Sequence, residues 1–391
     1  MAARKFPFAR WTKPWSTRLE HFRAYTVAHP RLIEARDQLM DAIRDSEPNT
    51  LVLVFGPTGV GKTTLRLKAQ QALVDGFRTE ADMDRERIPL VSVEAVAPES
   101  GNFSWSDHFK RLLRQMNEPL VEHKQRRPVM SSPQEPFQAG PRTRTEDYRY
   151  ALEQALLYRR PTAVMVDEAQ HMAKMASGRR LLDQLDVIKS IANRTGTVHV
   201  LFGTYDLLAF RNLGGQVSRR SVDLHFPRYR AEDTSDRRVF LNVLHSFRQQ
   251  LPLPEEFDLV SHWEYLYERS VGCVGVLKQW LVKALCGALR AGRSGLTLRD
   301  LERTGLSVAQ CEKMLSEAAE GEARFAGNPS SRAQLRGRLG LPSESAQRTP
   351  LGMQVGRERE RAPSGKNTHP GRRKPTRDVV GDGGASHNAV A

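Results

Sequence analysis

Residues 51–64 read LVLVFGPTGVGKTT, from Leu51 to Thr64, and this stretch decides the fold. Its first five residues are an unbroken apolar run, with the length and continuity of a strand buried on both faces. A glycine-rich turn follows at once, and helical spacing resumes from Thr63 through Leu73. The turn, Gly56-Pro57-Thr58-Gly59-Val60-Gly61-Lys62-Thr63, satisfies G-x-x-x-x-G-K-[ST] at every position. Glycines let backbone N–H groups turn inward around phosphate oxygens, and the helix behind them adds its positive N-terminal end. Lys62 brings a mobile cation to the outer phosphates, and the Thr63 hydroxyl is a Mg²⁺ ligand. Between a buried strand and a helix, Gly56 to Thr64 read as a phosphate-binding loop.

The pattern continues on both sides. Leu32, Ala35, Leu39, Ala42 and Ile43 recur at helical spacing before the turn-like SEPNT. IPLVSVEA (88–95) is a second strand candidate. Residues 117–144 are rich in Pro, Arg, Ser and Gln and read as a long insertion or surface loop. A helix over 146–158 precedes the strand TAVMVD (162–167). A further helix carries Leu181, Leu185, Ile188 and Ile191, and VHVLFGT (198–204) closes the series as another strand. Strands alternating with helices imply a mostly parallel sheet covered on both faces.

The strand ending at Asp167 completes a site. Four apolar residues, Ala163 to Val166, deliver Asp167 and Glu168 to the C-terminal edge of the sheet. There Asp167 can hold Mg²⁺ through water, and Glu168 can polarise a water for attack on the terminal phosphate of ATP. The text DEAQH invites a helicase reading, but a two-lobed helicase needs a second α/β lobe, and the residues after 232 look helical throughout. Thr204, at the end of the next strand, would lie beside Glu168 and could hydrogen-bond the attacking water. Arg219 and Arg220, on the loop that follows, could reach the terminal phosphate of a neighbouring subunit, where an arginine stabilises transition-state charge.

From about residue 232 the strand signal disappears, and helical patterns occupy 236–250, 257–270, 274–291 and 307–320. Beyond 325 the chain holds Gly, Pro, Ser, Arg and Asn with few apolar residues and should be largely disordered. Residues 1–25 are basic and aromatic (Phe6, Phe8, Trp11, Trp15) and look like an arm that docks onto something.

The net charge of +15 asks for a polyanionic partner, a nucleic acid first and an acidic membrane surface second. Residues 321–391 carry 13 Lys and Arg against six acids, so about half of the excess belongs to the tail. Cys273, Cys286 and Cys311 have no C-x-x-C spacing, which argues against a disulfide framework or a zinc site. No run approaches the ~18 apolar residues of a spanning helix. With a basic N-terminus that lacks a secretory apolar core, the chain reads as cytoplasmic and not bound to a membrane.

Taken together, GPTGVGKTT, VMVDEAQH, LFGTYDL and QVSRRSVDLHFPRY resemble the AAA+ ATPases, and within them the TnsC/TniB group of transposition regulators. The segment SVGCVGVLKQWLVKALCGALRAG followed by LTLRDLE resembles the lid of that group, and the likeness covers roughly residues 25–320. It implies an α/β P-loop NTPase domain over 26–231, with its insertion at 117–144, between an arm (1–25) and a small all-α lid (232–322). A disordered basic tail (323–391) follows. It also implies an ATP- and Mg²⁺-dependent oligomer, a ring or helical filament, on double-stranded DNA. Such a protein links target-selector proteins to a transposase and leaves DNA on hydrolysis. By the same likeness Lys62 and Thr63 bind phosphate and Mg²⁺, Asp167 supports the metal, Glu168 is the base and Thr204 the sensor. Arg220 is the preferred trans-acting finger and Arg219 the runner-up. AAA+ lids usually offer the nucleotide an arginine; the nearest candidate here is Lys278, a point charge rather than a planar fork.

A filament on DNA needs Lys and Arg facing phosphates. The candidates are Lys110, Arg111 and Arg114 near the second strand, and Lys124, Arg126, Arg127, Arg142 and Arg144 in the insertion. Arg372, Arg373 and Lys374 could add loose affinity or recruit a partner protein. A helicase loader or translocase, or a switch ATPase acting on protein partners, shares the same ATPase core and is the rival expectation.

Overall fold

The structure, a computed structural model, describes residues 13–45, 47, 50–98, 103–124, 145–173, 178–211, 221–326 and 329–341. The first elements in chain order are α1 (Trp15–Ala24), α2 (Pro30–Arg44), β1 (Leu51–Phe55), α3 (Lys62–Met83), β2 (Leu90–Glu94) and α4 (Trp105–Gln115). Then come α5 (Thr145–Arg159), β3 (Ala163–Asp167), α6 (Gln170–Ala173), α7 (Gly178–Thr195), β4 (Val198–Gly203), α8 (Leu208–Arg211) and β5 (Ser221–His225). The helices α9 (Thr234–Gln250), α10 (Trp263–Ser270), α11 (Val274–Arg290), α12 (Leu298–Thr304), α13 (Val308–Ala326) and α14 (Pro329–Arg338) complete them. Residues 1–329 form one compact unit; residues 330–391, which hold most of α14, form a second.

The strands make one sheet, in the order β2-β3-β4-β1-β5, with every pairing parallel. Pleating sends alternate residues of β1 to opposite faces. Leu51, Leu53 and Phe55 join a core with α4, α5 and α7, through Phe109, Leu112, Leu152, Leu156 and Ile188. Val52 and Val54 join another with α2 and α3, through Leu32, Leu39, Ile43 and Leu65. A strand flanked on both sides and covered on both faces has no use for a polar residue, which explains why LVLVF is apolar throughout.

A third core belongs to the helical part, where Phe240, Leu244 and Phe247 of α9 meet Leu277, Leu281 and Leu285 of α11. Leu19 and Phe22 of α1 are buried in the same cluster, so the described part of the N-terminal arm docks on the chain's own helical region. Among the described residues no single helix is long and apolar enough to cross a membrane.

Two of the elements that the sequence reading missed in this unit bear on the sheet. β5 pairs with β1 at the sheet's edge, in register Leu51↔Ser221 to Phe55↔His225. Its sequence SVDLH buries only Leu224 fully, and Val222 is 40% exposed; an edge strand can keep polar residues and shows no apolar run. α4 lies in the stretch after Pro98 to which no element was assigned, although Phe109, Leu112 and Leu113 are buried. The insertion is described only to Lys124, with Val121 in the core. In the tail, where disorder was expected, α14 is a helix of ten residues.

Candidate nucleotide site

The topology brings the loop and the two acids to one end of the sheet. β4 lies between β1 and β3, so the loop after β1, Thr204 after β4 and Glu168 after β3 stand side by side at the C-terminal edge. A cavity of about 870 Å³ opens there. Its floor is Pro57, Thr58, Gly59, Gly61, Lys62, Thr63 and Thr64, with Glu168, Gln170, His171, Thr204 and Asp206 beside it. Val60 is buried with Val52 and Val54 instead, and Gly56 contributes its carbonyl.

Lys62 opens α3 and is buried; its Nζ donates to the carbonyls of Gly56 at 3.0 Å and Pro57 at 2.9 Å. Burial lowers its pKa to about 8, opposed by the negative charge of Glu168 and, more weakly, of Asp167. Asp167 is buried at the end of β3. One carboxylate oxygen takes Arg66 Nε at 3.0 Å and the other the backbone N–H of Glu168 at 3.0 Å. Arg66, one turn into α3, also donates to Ser92 Oγ at 2.6 Å. It ties the loop helix to β2 and β3 and fixes the carboxylate, a role no motif announced.

Glu168 adopts a left-handed backbone, φ +53°, which costs a non-glycine residue about 1–3 kcal/mol. Neighbouring hydrogen bonds hold it: Ala169 N to Phe202 O at 2.8 Å and His171 N to Glu168 O at 2.9 Å. Gln170 is buried and donates its amide to Glu168 Oε2, while its carbonyl accepts from Thr204 N at 3.3 Å. The link between the acid and the β4 end therefore runs through Gln170. The Thr204 hydroxyl, expected to face the water, donates to Asp206 Oδ2 at 3.1 Å and accepts from Asp206 N, capping the short turn behind it. Gln170 stood in the text as part of DEAQ, without an assigned role.

The helical part supplies the opposite wall. Val276 N, in the first turn of α11, donates to Gly59 O at 3.1 Å. Gly59 has φ +75°, and a Cβ there would stand 2.4 Å from Val276 Cγ2; one on Gly275 would stand 2.4 Å from Gly59 O. Glycine at both positions allows helix and loop to touch. Lys278, expected on the nucleotide, is among the residues lining the cavity but gives its ammonium to the carbonyls of Phe22 and Tyr25. It stands 3.9 Å from the centre of the Phe22 ring, and burial lowers its pKa to about 7. α1 claims this charge because α1 packs directly on α11.

The described DNA candidates are all engaged with acids. Lys110 pairs with Glu122 at 3.2 Å, Arg111 with Asp107 at 2.6 Å, Arg114 with Glu122, and Lys124 with Glu118 at 3.0 Å. Arg111 and Arg114 are about half exposed, and surface pairs of this kind are weakly held. Arg126, Arg127, Arg142, Arg144, Arg219, Arg220, Arg372, Arg373 and Lys374 lie outside the described residues.

Residues 44–210 match a family model described as AAA domain. This is an AAA+ P-loop fold. The match spans the AAA+ strands β1 to β4 and the loop between β1 and α3. No curated protein matches the chain. Among solved structures, the Aeropyrum pernix ORC2 protein in ADPNP–ADP complexes aligns at 17% identity and TM-score 0.47, over 75% of this chain and 73% of that one. The Aeropyrum pernix ORC1 protein in complex with DNA aligns at 16% and 0.49, over 73% and 68%. Drosophila ORC bound to DNA aligns at 14% and 0.46, over 85% and 84%.

Proposed function

We propose that this chain is an AAA+ ATPase that assembles on double-stranded DNA in its ATP form and regulates transposition, as the TnsC/TniB group does. One observation carries the enzymatic part: Lys62, Thr63 and Glu168 line one cavity beneath α11, with Asp167 fixed behind them by Arg66. The donors suit magnesium, a hard ion that accepts a hydroxyl, water-bridged carboxylate and phosphate oxygens; no dedicated cluster of three acids is needed. Mg²⁺ would neutralise charge on the phosphate oxygens as the terminal bond breaks. Thr63 and Asp167 would hold it.

The chain's own residues do the rest. Lys62 binds the β- and γ-phosphates and leaves its loop carbonyls to do so. Glu168 accepts hydrogen-bonding from the attacking water, and the Gln170 amide sets the direction of its carboxylate. Glu168→Gln should then retain ATP and freeze the assembled state.

The DNA, oligomer and transposition parts are supported by the net charge of +15 and the motif likeness. Lys110, Arg111 and Arg114 of α4 remain candidate DNA contacts in this reading. Electron microscopy of the purified protein with DNA tests it, with a non-hydrolysable ATP analogue against ADP. Rings or filaments with the analogue alone are expected, dissolving as salt rises. DNA affinity unchanged by nucleotide across salt concentrations would overturn the DNA-regulator reading and leave the ATPase standing.

A further inference from the structure

The helices of the lid present different faces. Helix α13 returns to the sheet, where Glu322 accepts from Arg228 Nε at 3.0 Å and Arg230 Nη2 at 2.8 Å. Beside it Gly321 lies so close to the Tyr205 ring that a Cβ would stand 2.1 Å from it. Phe325 packs on Phe55, with ring centres 5.1 Å apart. Helices α11 and α12 instead form a hairpin, joined by residues 291–297. Trp280 of α11 donates its indole N–H to Leu301 O at 2.9 Å, and Gly305 lies against the same ring.

The hairpin's outer face is basic. Arg303 Nη2 of α12 stands 3.4 Å from where a Cβ on Gly287 would be. Gly287 lies one turn after Lys283 and one turn before Arg290, so these three positions share a stripe of α11. Arg299 lies one turn before Arg303 and, on antiparallel helices, toward the Arg290 end. Lys283, Arg290, Arg299 and Arg303 are all exposed.

Nearby acids do not balance them. Among the described residues, no ion pair reaches Lys283, Arg290 or Arg299. Arg303 stands 3.6 Å from Asp300, a carboxylate 4% exposed that Arg293 holds more closely, at 2.7 Å. Glu255 is at the hairpin's tip, bonded to Ser294 Oγ at 2.7 Å. Glu302 lies toward α10, where burial raises the pKa of Tyr265 and the charge of Glu302 adds to it. Arg290 is 5.7 Å from the centre of the Trp15 ring, a contact that steadies the guanidinium and leaves its charge.

At 1.5 Å per residue, Lys283 to Arg290 covers about 10 Å of helix. Duplex DNA presents one charge per ~1.7 Å of its axis, so this length faces roughly six phosphates. An interfacial membrane helix would need its apolar stripe free beside the basic one. Leu277, Leu281 and Leu285 of α11 are instead buried in the lid's own core. The face also adjoins the nucleotide site, since Lys283 and Thr304 are among the residues lining the cavity.

We propose that the outer face of the α11–α12 hairpin is a docking surface for the phosphate backbone of duplex DNA, held by Lys283, Arg290, Arg299 and Arg303. This rests on the DNA-binding reading above and gives it a surface. Contacts of this kind position the duplex and read no bases.

The test uses the full chain with Mg²⁺ and a non-hydrolysable ATP analogue. Its affinity for a fluorescent random-sequence duplex is measured by anisotropy over a series of salt concentrations. Arg299→Gln with Arg303→Gln should lower the slope of log affinity against log salt by about two, at about 0.9 per phosphate contact. At about 0.15 M salt the same slope change is a loss of roughly thirtyfold. Adding Lys283→Gln should lower the slope by about one more. Arg299→Lys with Arg303→Lys should keep the wild-type slope, because a phosphate contact needs the charge; a loss as large as in the glutamine pair would overturn the assignment. A glutamine pair with the wild-type slope overturns it too, and if that pair instead loses binding to phosphatidylserine vesicles, the face belongs to a membrane. A wild type that binds no duplex even at low salt sinks the DNA reading itself.

Discussion

Replacing Glu322 with Gln removes one negative charge from a nearly closed ion cluster, and the consequence can be worked from its surroundings. The Glu322 side chain is 7% exposed and that of Arg228 is 10%, whereas the Arg230 side chain is 47% exposed. Arg230 can turn to water, so its share is small. Arg228 cannot, and an arginine does not shed its proton, so the variant leaves a buried uncompensated cation. Breaking a buried pair from one side costs about 3–5 kcal/mol. The cheapest relief is local: the end of α13 lifts off Tyr205 and Phe55 while the sheet stays folded. Hydrogen exchange at the amides of 318–326 should therefore accelerate roughly a hundredfold or more, since about 1.4 kcal/mol is a factor of ten. Amides of β1 and β4 should keep their protection. Combining Glu322→Leu with Arg228→Met should restore most of the protection at α13, because neither charge then remains to be solvated. Acceleration of less than about threefold in the single variant would refute the view that this pair holds the helix down.

Other consequences follow from the same structure. His108 and His199 are buried, and desolvation lowers their pKa values to about 3 and about 4, from 6.5. Between these limits the unfolded chain binds more protons than the folded one. Stability should thus fall as pH drops from 6.5 toward 4, by roughly 1.4 kcal/mol per pH unit for each histidine, and chemical denaturation at stepped pH checks this. A flat profile would show that these rings are not buried in neutral form. Lys62, lowered to about 8, must be charged to hold phosphate, so nucleotide affinity by calorimetry should be level below pH 8 and decline above it. Gln170→Ala should lower kcat roughly tenfold with little change in KM for ATP, because it frees the Glu168 carboxylate without touching the loop. Steady-state kinetics would contradict this if KM rose instead.

The loop and both acids were legible in the sequence because the chemistry demands contiguous residues: a glycine turn between strand and helix, and acids at the end of a buried strand. Lys62 and Glu168 accordingly line the cavity that the motifs implied. β5 was not legible, since an edge strand with one fully buried residue carries no apolar run. What lies between distant segments was hidden altogether. Glu322 meets Arg228 across 94 positions, and no local pattern announces such a pair. Lys278 was expected at the nucleotide from its place in α11. Its actual partners, Phe22 and Tyr25, lie in the arm, whose docking depends on three dimensions. The acid partners of the basic residues of α4 were hidden for a related reason. A cation in a sequence looks free until its acid is found, and Glu122, which takes both Lys110 and Arg114, lies beyond the helix.

The central claim is that the loop and the β3 acids form one hydrolytic site, and the nucleotide retained by Glu168→Gln tests it most directly. Protein is incubated with radiolabelled ATP and Mg²⁺, rapidly separated from free nucleotide, denatured, and the bound fraction resolved by chromatography. The wild type should carry mainly ADP and the variant mainly intact ATP in comparable amount. A variant that converts ATP at the wild-type rate, or one that retains no nucleotide, would contradict the account.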